Sequence, residues 1–74
     1  MTWDTAWAGE RASEALAYLA QHYPEASASP ELHPHQDAAH DAAAAEDEGR
    51  YLEALRGYMR AGRDEVLRIR KEAA

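Results

Sequence analysis

The sequence predicts a small all-α protein with three helices, arranged as one helix, a proline-rich linker and a helical hairpin. Three observations predict this class. Residues 50–72 carry apolar side chains at helical spacing, and all three prolines fall within residues 24–34. Alanine, the strongest helix former, occupies 18 of the 74 positions. A chain of this length forms one small domain at most.

The first helix is predicted over residues 3–22. Thr2 or Asp4 can cap it, because either side-chain oxygen can accept a hydrogen bond from the free N–H groups of the first turn. Pro24 ends the helix, since the residue before a proline is driven out of the α region. One helical face carries Ala12, Ala15, Leu16, Leu19 and Tyr23.

The linker is predicted over residues 24–34, where three prolines in eleven residues cannot sustain a long helix. Ser29 followed by Pro30 favours a single helical turn with Ser29 as its cap. Leu32 is the one large aliphatic residue of the linker, and we expect it to fill the core.

The second helix is predicted over residues 35–47. Its many alanines favour helix but offer a shallow apolar surface, so neighbours must approach closely to pack on it. Gly49 supplies the conformational freedom that the following turn needs.

The third helix is predicted over residues 50–72, with an apolar stripe about 120° wide beside a basic arc about 100° wide. Gly62 lies in the stripe, where we expect it either to admit another backbone closely or to break the helix in two. The basic arc comprises Arg56, Arg60, Arg63, Arg70 and Lys71. The predicted hydrophobic seam joins Trp7, Leu16 and Leu19 to Tyr51, Leu55, Tyr58, Val66 and Ile69.

Charge is divided unevenly along the chain, whose net charge is −6. Residues 1–49 hold ten acids and one base, whereas residues 50–74 hold four acids and seven bases. The first residues show no basic stretch followed by an apolar run, and no apolar run reaches about 18 residues. We therefore expect no signal peptide and a cytoplasmic protein without a membrane partner. Apolar surface left over from so small a core leaves a homodimer open.

Catalytic equipment is absent from the sequence, which has no cysteine, no glycine-rich phosphate loop and no G-x-S-x-G turn. We therefore expect no enzyme and no cofactor. His33, His35 and His40 lie close to two aspartates, and these residue types can bind zinc or nickel. Their spacing matches no strong metal template, so surface histidines are the favoured interpretation and a metal-binding protein is an alternative.

Three groups of residues are candidates for binding a partner. Tryptophan dominates interface hot spots, carboxylates can imitate the charge of nucleic acid, and arginines on one helical face can contact phosphates. Core packing, solubility and ion pairing within the chain are the structural alternatives for the three groups. The candidates are Trp3 and Trp7; Asp41, Glu46, Asp47 and Glu48; and Arg56, Arg60 and Arg63.

Residues 48–61 resemble the turn and second helix of a tetratricopeptide repeat. The positions that carry the resemblance are Gly49, Tyr51, Ala54, Tyr58 and Ala61. The preceding helix departs from the family pattern, and no second copy of the repeat is present. The resemblance implies a closely packed helical hairpin and, if it extends to function, protein binding without chemistry.

The sequence thus predicts a non-enzymatic protein that binds another protein. A small acidic inhibitor or adaptor encoded by a phage or other mobile element is one specific hypothesis, and an anti-CRISPR-like inhibitor of a nucleic-acid-binding complex is its sharpest form. The second class of function is a nucleic-acid binder that uses the basic arc, and the third is a small metal-binding helical protein.

Overall fold

The computed structural model describes residues 3–74, except for the side chain of residue 28. Over this range it contains three α-helices, two short 3₁₀ helices and no strand, which confirms the predicted all-α class. Thr2, one of the two predicted caps, lies outside the described residues. The α-helices are α1, Thr5–His22; α2, His33–Ala44; and α3, Glu48–Ala73.

Helix α1 starts two residues later than predicted because Asp4 is its cap. The Asp4 Oδ1 atom accepts hydrogen bonds from the backbone N–H groups of Ala6, at 2.9 Å, and Trp7, at 3.1 Å. Trp3 therefore precedes the helix. The helix ends at His22, two residues before Pro24, as the proline predicts.

The linker forms two 3₁₀ helices, Pro24–Ala28 and Pro30–Leu32. The Ser29 hydroxyl accepts a hydrogen bond from the Glu31 N–H at 3.3 Å, so the predicted cap is confirmed. Leu32 is only 2% exposed and fills the core as predicted. These contacts give the proline-rich segment a fixed path.

The bounds of α2 differ from the predicted residues 35–47. The helix begins at His33 because Pro34 stands in its first turn, where a missing N–H costs no hydrogen bond. It ends at Ala44 because Glu46 takes a left-handed conformation, with φ of 55°. The Asp47 N–H then donates to the Ala42 carbonyl and the Glu46 N–H to the Ala43 carbonyl, a Schellman ending without glycine.

Helix α3 runs unbroken from Glu48 to Ala73, so Gly62 does not interrupt it. It begins two residues earlier than predicted because the Asp47 carboxylate accepts from the Arg50 N–H at 3.1 Å. Gly62 instead allows a close approach, with both terminal methyls of Leu19 lying 2.8 Å from the place where a Cβ would stand. The neighbour that uses this space is a side chain.

Both shorter helices pack on α3 and make little direct contact with each other. Helix α1 runs parallel to α3, since Ala8 bonds to Tyr51 and His22 bonds to Arg70. The described chain is elongated, about 48 × 20 × 16 Å. The buried core contains Ala8, Ala15, Leu19, Ala26, Leu32, Ala42, Tyr51, Leu55, Tyr58 and Val66.

The hydrophobic seam is narrower than predicted. Leu16 is 55% exposed because it faces the gap between α1 and α2, so its predicted place in the seam is wrong. Trp7 and Ile69 are only half-buried. Among residues 3–74, no helix combines the length and apolar character needed to cross a membrane.

The contact between Gly62 and Leu19 predicts opposite effects for two Gly→Ala substitutions in helices. Gly9→Ala meets open space and should stabilise α1 through helix propensity alone. Gly62→Ala gains the same propensity but overpacks against Leu19, so we expect the variants to differ by about 1–3 kcal/mol. Urea unfolding measures this difference, and equal stability of the two variants would contradict the close approach.

Candidate protein-binding surfaces

An apolar groove opens between α1 and α2, with α3 as its floor. Its volume is about 420 Å³. Leu16 stands exposed at one edge, while Gln36 and His40 stand at the other. Among residues 3–74, no Asp, Glu, Lys or Arg lines the groove. The remaining lining residues are Ala12, Ala15, His35, Ala39, Ala43, Tyr51, Leu55 and Tyr58.

The predicted tryptophan anchors form an aromatic cluster with Tyr51. Trp3 meets Trp7 edge to face at a centroid distance of 6.0 Å, and Trp3 meets Tyr51 in the same way at 5.3 Å. The Tyr51 hydroxyl donates to the Ala8 carbonyl at 2.7 Å. Both tryptophans are half-buried, so they fasten the start of α1 to α3 and leave part of each ring accessible.

Four carboxylates form an acidic strip along α2 and the turn after it: Asp37, Asp41, Glu46 and Glu48. The first three are exposed and Glu48 is half-buried. Asp37 was not among the predicted partner-binding residues. Asp47 was, but its carboxylate caps α3 and is therefore not counted in the strip. Since Glu48 precedes Tyr51 by less than one helical turn, the strip and the aromatic cluster lie at the same end of α3.

The predicted arginines are exposed on α3, but two of them have partners. Arg56 pairs with Glu53 at 3.7 Å and Arg63 with Asp64 at 3.2 Å. Arg60 has no salt bridge within residues 3–74 and lies with Arg50 beside a recess between α2 and α3. Ion pairing within the chain thus neutralises part of the basic arc.

Pairing within the chain sharpens the division of charge. In the described part of the molecule, six of the fourteen acids and five of the eight bases take part in salt bridges. Eight acids and three bases are left over, and all eight of those acids precede Gly49. The surplus negative charge is therefore concentrated on α1, the linker, α2 and the turn before α3.

The histidines do not converge. His33 is exposed on α2, whereas the half-buried His35 ring packs over Gly57 on α3. His40 stands at the edge of the groove. Within residues 3–74, no three His, Asp or Glu side chains are grouped so that they could hold a metal ion.

Arg70 and Glu25 form a contact between the linker and α3 that sequence reasoning missed. The Arg70 guanidinium donates to both carboxylate oxygens of Glu25, at 2.8 and 3.0 Å, and to the His22 carbonyl at 3.2 Å. It also lies 5.6 Å from the centre of the Tyr23 ring. The hydrogen bond from Arg70 lowers the pKa of Glu25 below its ordinary value. The sequence places Arg70 in the basic arc but gives no signal for a partner 45 residues away.

Comparison with known proteins adds no relative: no family model, no curated protein and no solved structure matches the chain. The resemblance of residues 48–61 to a tetratricopeptide repeat stays a prediction. The function is therefore inferred from the groove, the aromatic cluster and the charged surfaces of this molecule.

The lowered pKa of Glu25 predicts a pH-dependent contribution to stability. The contribution is fully present above the ordinary pKa of 4.5 and is lost as pH falls through the lower folded-state value. Glu25→Gln should therefore unfold at a lower temperature than wild type at about pH 6, and the gap should narrow as the pH falls below 4.5.

Glu31→Gln is the matched control, since Glu31 is an exposed carboxylate of the same linker without a salt bridge among the described residues. Thermal unfolding followed by circular dichroism across this pH range provides the measurement. A constant gap between wild type and Glu25→Gln at every pH would show that the ion pair does not contribute as described.

Proposed function

We propose that the protein is a non-enzymatic protein–protein interaction module that binds a basic surface on its partner. The supporting observation is the acidic strip, four carboxylates that form no salt bridge within the described residues. They belong to a half of the molecule whose net charge is strongly negative. A basic groove on another protein would meet complementary charge along α2 and the turn that follows it.

The aromatic cluster lies next to the acidic strip and supports the same binding surface. Trp3 and Trp7 keep accessible ring surface at the end of α3 where the acidic strip finishes. Carboxylates would steer the approach and set its salt dependence, while the tryptophan rings would supply apolar contact. Charge complementarity and a small aromatic anchor together are the features expected of a specific interface.

The sharper form of the proposal is an inhibitor that occupies the nucleic-acid groove of its target. Binding of a polyanionic surface in such a groove is favourable because counterions associated with the charged surfaces are released. Small size, acidity and the absence of catalytic motifs suit an inhibitor or adaptor encoded by a phage or other mobile element, as in the anti-CRISPR-like hypothesis. This origin rests on the sequence alone.

Neutralising the acidic strip should weaken capture of the partner. The test variant is Asp37→Asn/Asp41→Asn/Glu46→Gln, which spares Asp47 because loss of that cap would destabilise α3 by about 1 kcal/mol. We expect at least about tenfold less partner to be retained at low salt, since each close charge pair across an interface can raise the binding affinity several-fold or more. Affinity purification from the native host, with quantitative mass spectrometry, measures the retained protein.

The matched control is Glu53→Gln/Asp64→Asn/Glu72→Gln, which removes the same number of carboxylates from α3. All three control residues are exposed, and each is paired with an arginine of its own helix. This control should retain the partner as wild type does, and circular dichroism should show that both variants are folded. Equal retention by the strip variant and wild type would refute the proposal.

A nucleic-acid binder remains the second candidate because Arg50 and Arg60 both lie beside one recess without salt bridges among residues 3–74. A gel-shift at low salt separates the two classes. The protein-binding proposal predicts no shift for wild type or for Arg50→Ala/Arg60→Ala. A wild-type shift that disappears in this variant would favour nucleic acid, since each lost phosphate contact weakens binding.

A further inference from the structure

The groove between α1 and α2 differs in chemistry from the rest of this acidic molecule. The chain carries 22 charged residues of the Asp, Glu, Lys and Arg types, yet none of them lines the groove. Its floor is formed by Tyr51, Leu55 and Tyr58. Four of its eight wall residues are alanine, one is Leu16, and the α2 wall also carries His35, Gln36 and His40. Removing such a surface from water is favourable, so the groove suits an uncharged apolar occupant.

The flank of α1 beside the groove has the same chemistry. Leu16 projects from it and is 55% exposed. The exposed neighbours on this side of the helix at about 100° per residue are small and uncharged. They are Gly9, Ser13 and Ala20. The flank is therefore an apolar ridge with one large side chain, next to a groove of matching character.

We propose that the groove is covered by a second copy of this chain. In a two-fold arrangement, Leu16 of each copy would enter the groove of the other, because the same ridge and groove lie side by side on both. The small residues of the ridge would let the two α1 helices approach closely, and Leu16 would exchange water for contact with the tyrosine and leucine floor.

Charge favours a second copy at this surface over the outer face of α2. Two copies each carry a net charge of −6 and repel one another wherever carboxylates would meet. The outer face of α2 presents Asp37 and Asp41, whereas the groove presents no carboxylate. Self-association without buried like charges is thus possible at the groove.

The exposed area is consistent with a missing partner. The chain has a solvent-accessible surface of 5060 Å², whereas a compact monomer of 8.2 kDa exposes about 4,500 Å². A standard interface removes roughly 800 Å² from each partner. Covering the groove and the α1 ridge would bring the exposed surface per copy below that of a compact monomer.

Leu16→Glu tests the proposal on the full chain. Sedimentation equilibrium from about 1 μM to 1 mM should show a wild-type dimer whose dissociation constant lies within or below this range, the usual span for interfaces of standard size. Each dimer would carry two buried glutamates in the variant, so the dissociation constant should rise by about a hundredfold or more.

Leu67→Glu is the matched control, since Leu67 is a similarly exposed leucine, at 49%, on α3 and away from the groove. It should dimerise as wild type does, and circular dichroism should show both variants folded. A monomeric wild type at 1 mM, or equal dissociation of the two variants, would overturn the proposal. The first result would leave the groove to a different protein.

A single-cysteine variant reports the contact directly, because the chain has no native cysteine. Ser13→Cys, on the α1 ridge where the two helices would approach closely, should form a disulfide between copies under mild oxidation, while Leu67→Cys should not. Both dimer tests leave the acidic strip unchanged, so their failure is distinguishable from failure of the protein-binding function. Equal cross-linking at both positions would count against the two-fold arrangement.

Discussion

The fold depends on one constraint: among residues 3–74, both other α-helices bury their apolar faces on α3. Apart from Pro34, the apolar residues of α2 are all alanine, which buries little area, so α2 makes little contact with α1 and the two helices meet α3 separately. The contact of Leu19 with Gly62 draws α1 onto α3 at one level, and the bond from Tyr51 to Ala8 does so at another. These contacts fix α1 on α3, and with it one wall of the groove and the aromatic cluster.

The same constraint accounts for the open groove and for the separation of charge. Helices α1 and α2 pack side by side on α3 and present mainly small side chains to each other, so a gap remains between them. Tyrosine and leucine side chains of α3 line this gap. Arginines of α3 pair mainly with acids of their own helix, whereas the carboxylates of α2 form no salt bridge among residues 3–74. The outer face of α2 is consequently acidic and the inner face apolar.

Periodicity and proline positions predicted the class, the helix order and the core role of Leu32, because these follow from local spacing. The C-terminal end of α2 was less predictable, since the left-handed residue that ends the helix is Glu46, at a position where glycine is usual. Leu16 was misplaced because its helical face matches the core, and only the spacing of α1 and α2 reveals the gap it faces. The ion pair of Arg70 with Glu25 depends on tertiary folding and has no local signal.

Native-state hydrogen exchange of the full chain tests the central role of α3 most directly. If both other helices pack on α3, its backbone amides from Tyr51 to Val66 should be the most protected and should exchange only through global unfolding. The amides of α1 and α2 should exchange faster through local opening. Stronger protection in α1 or α2 than in this part of α3 would contradict the account.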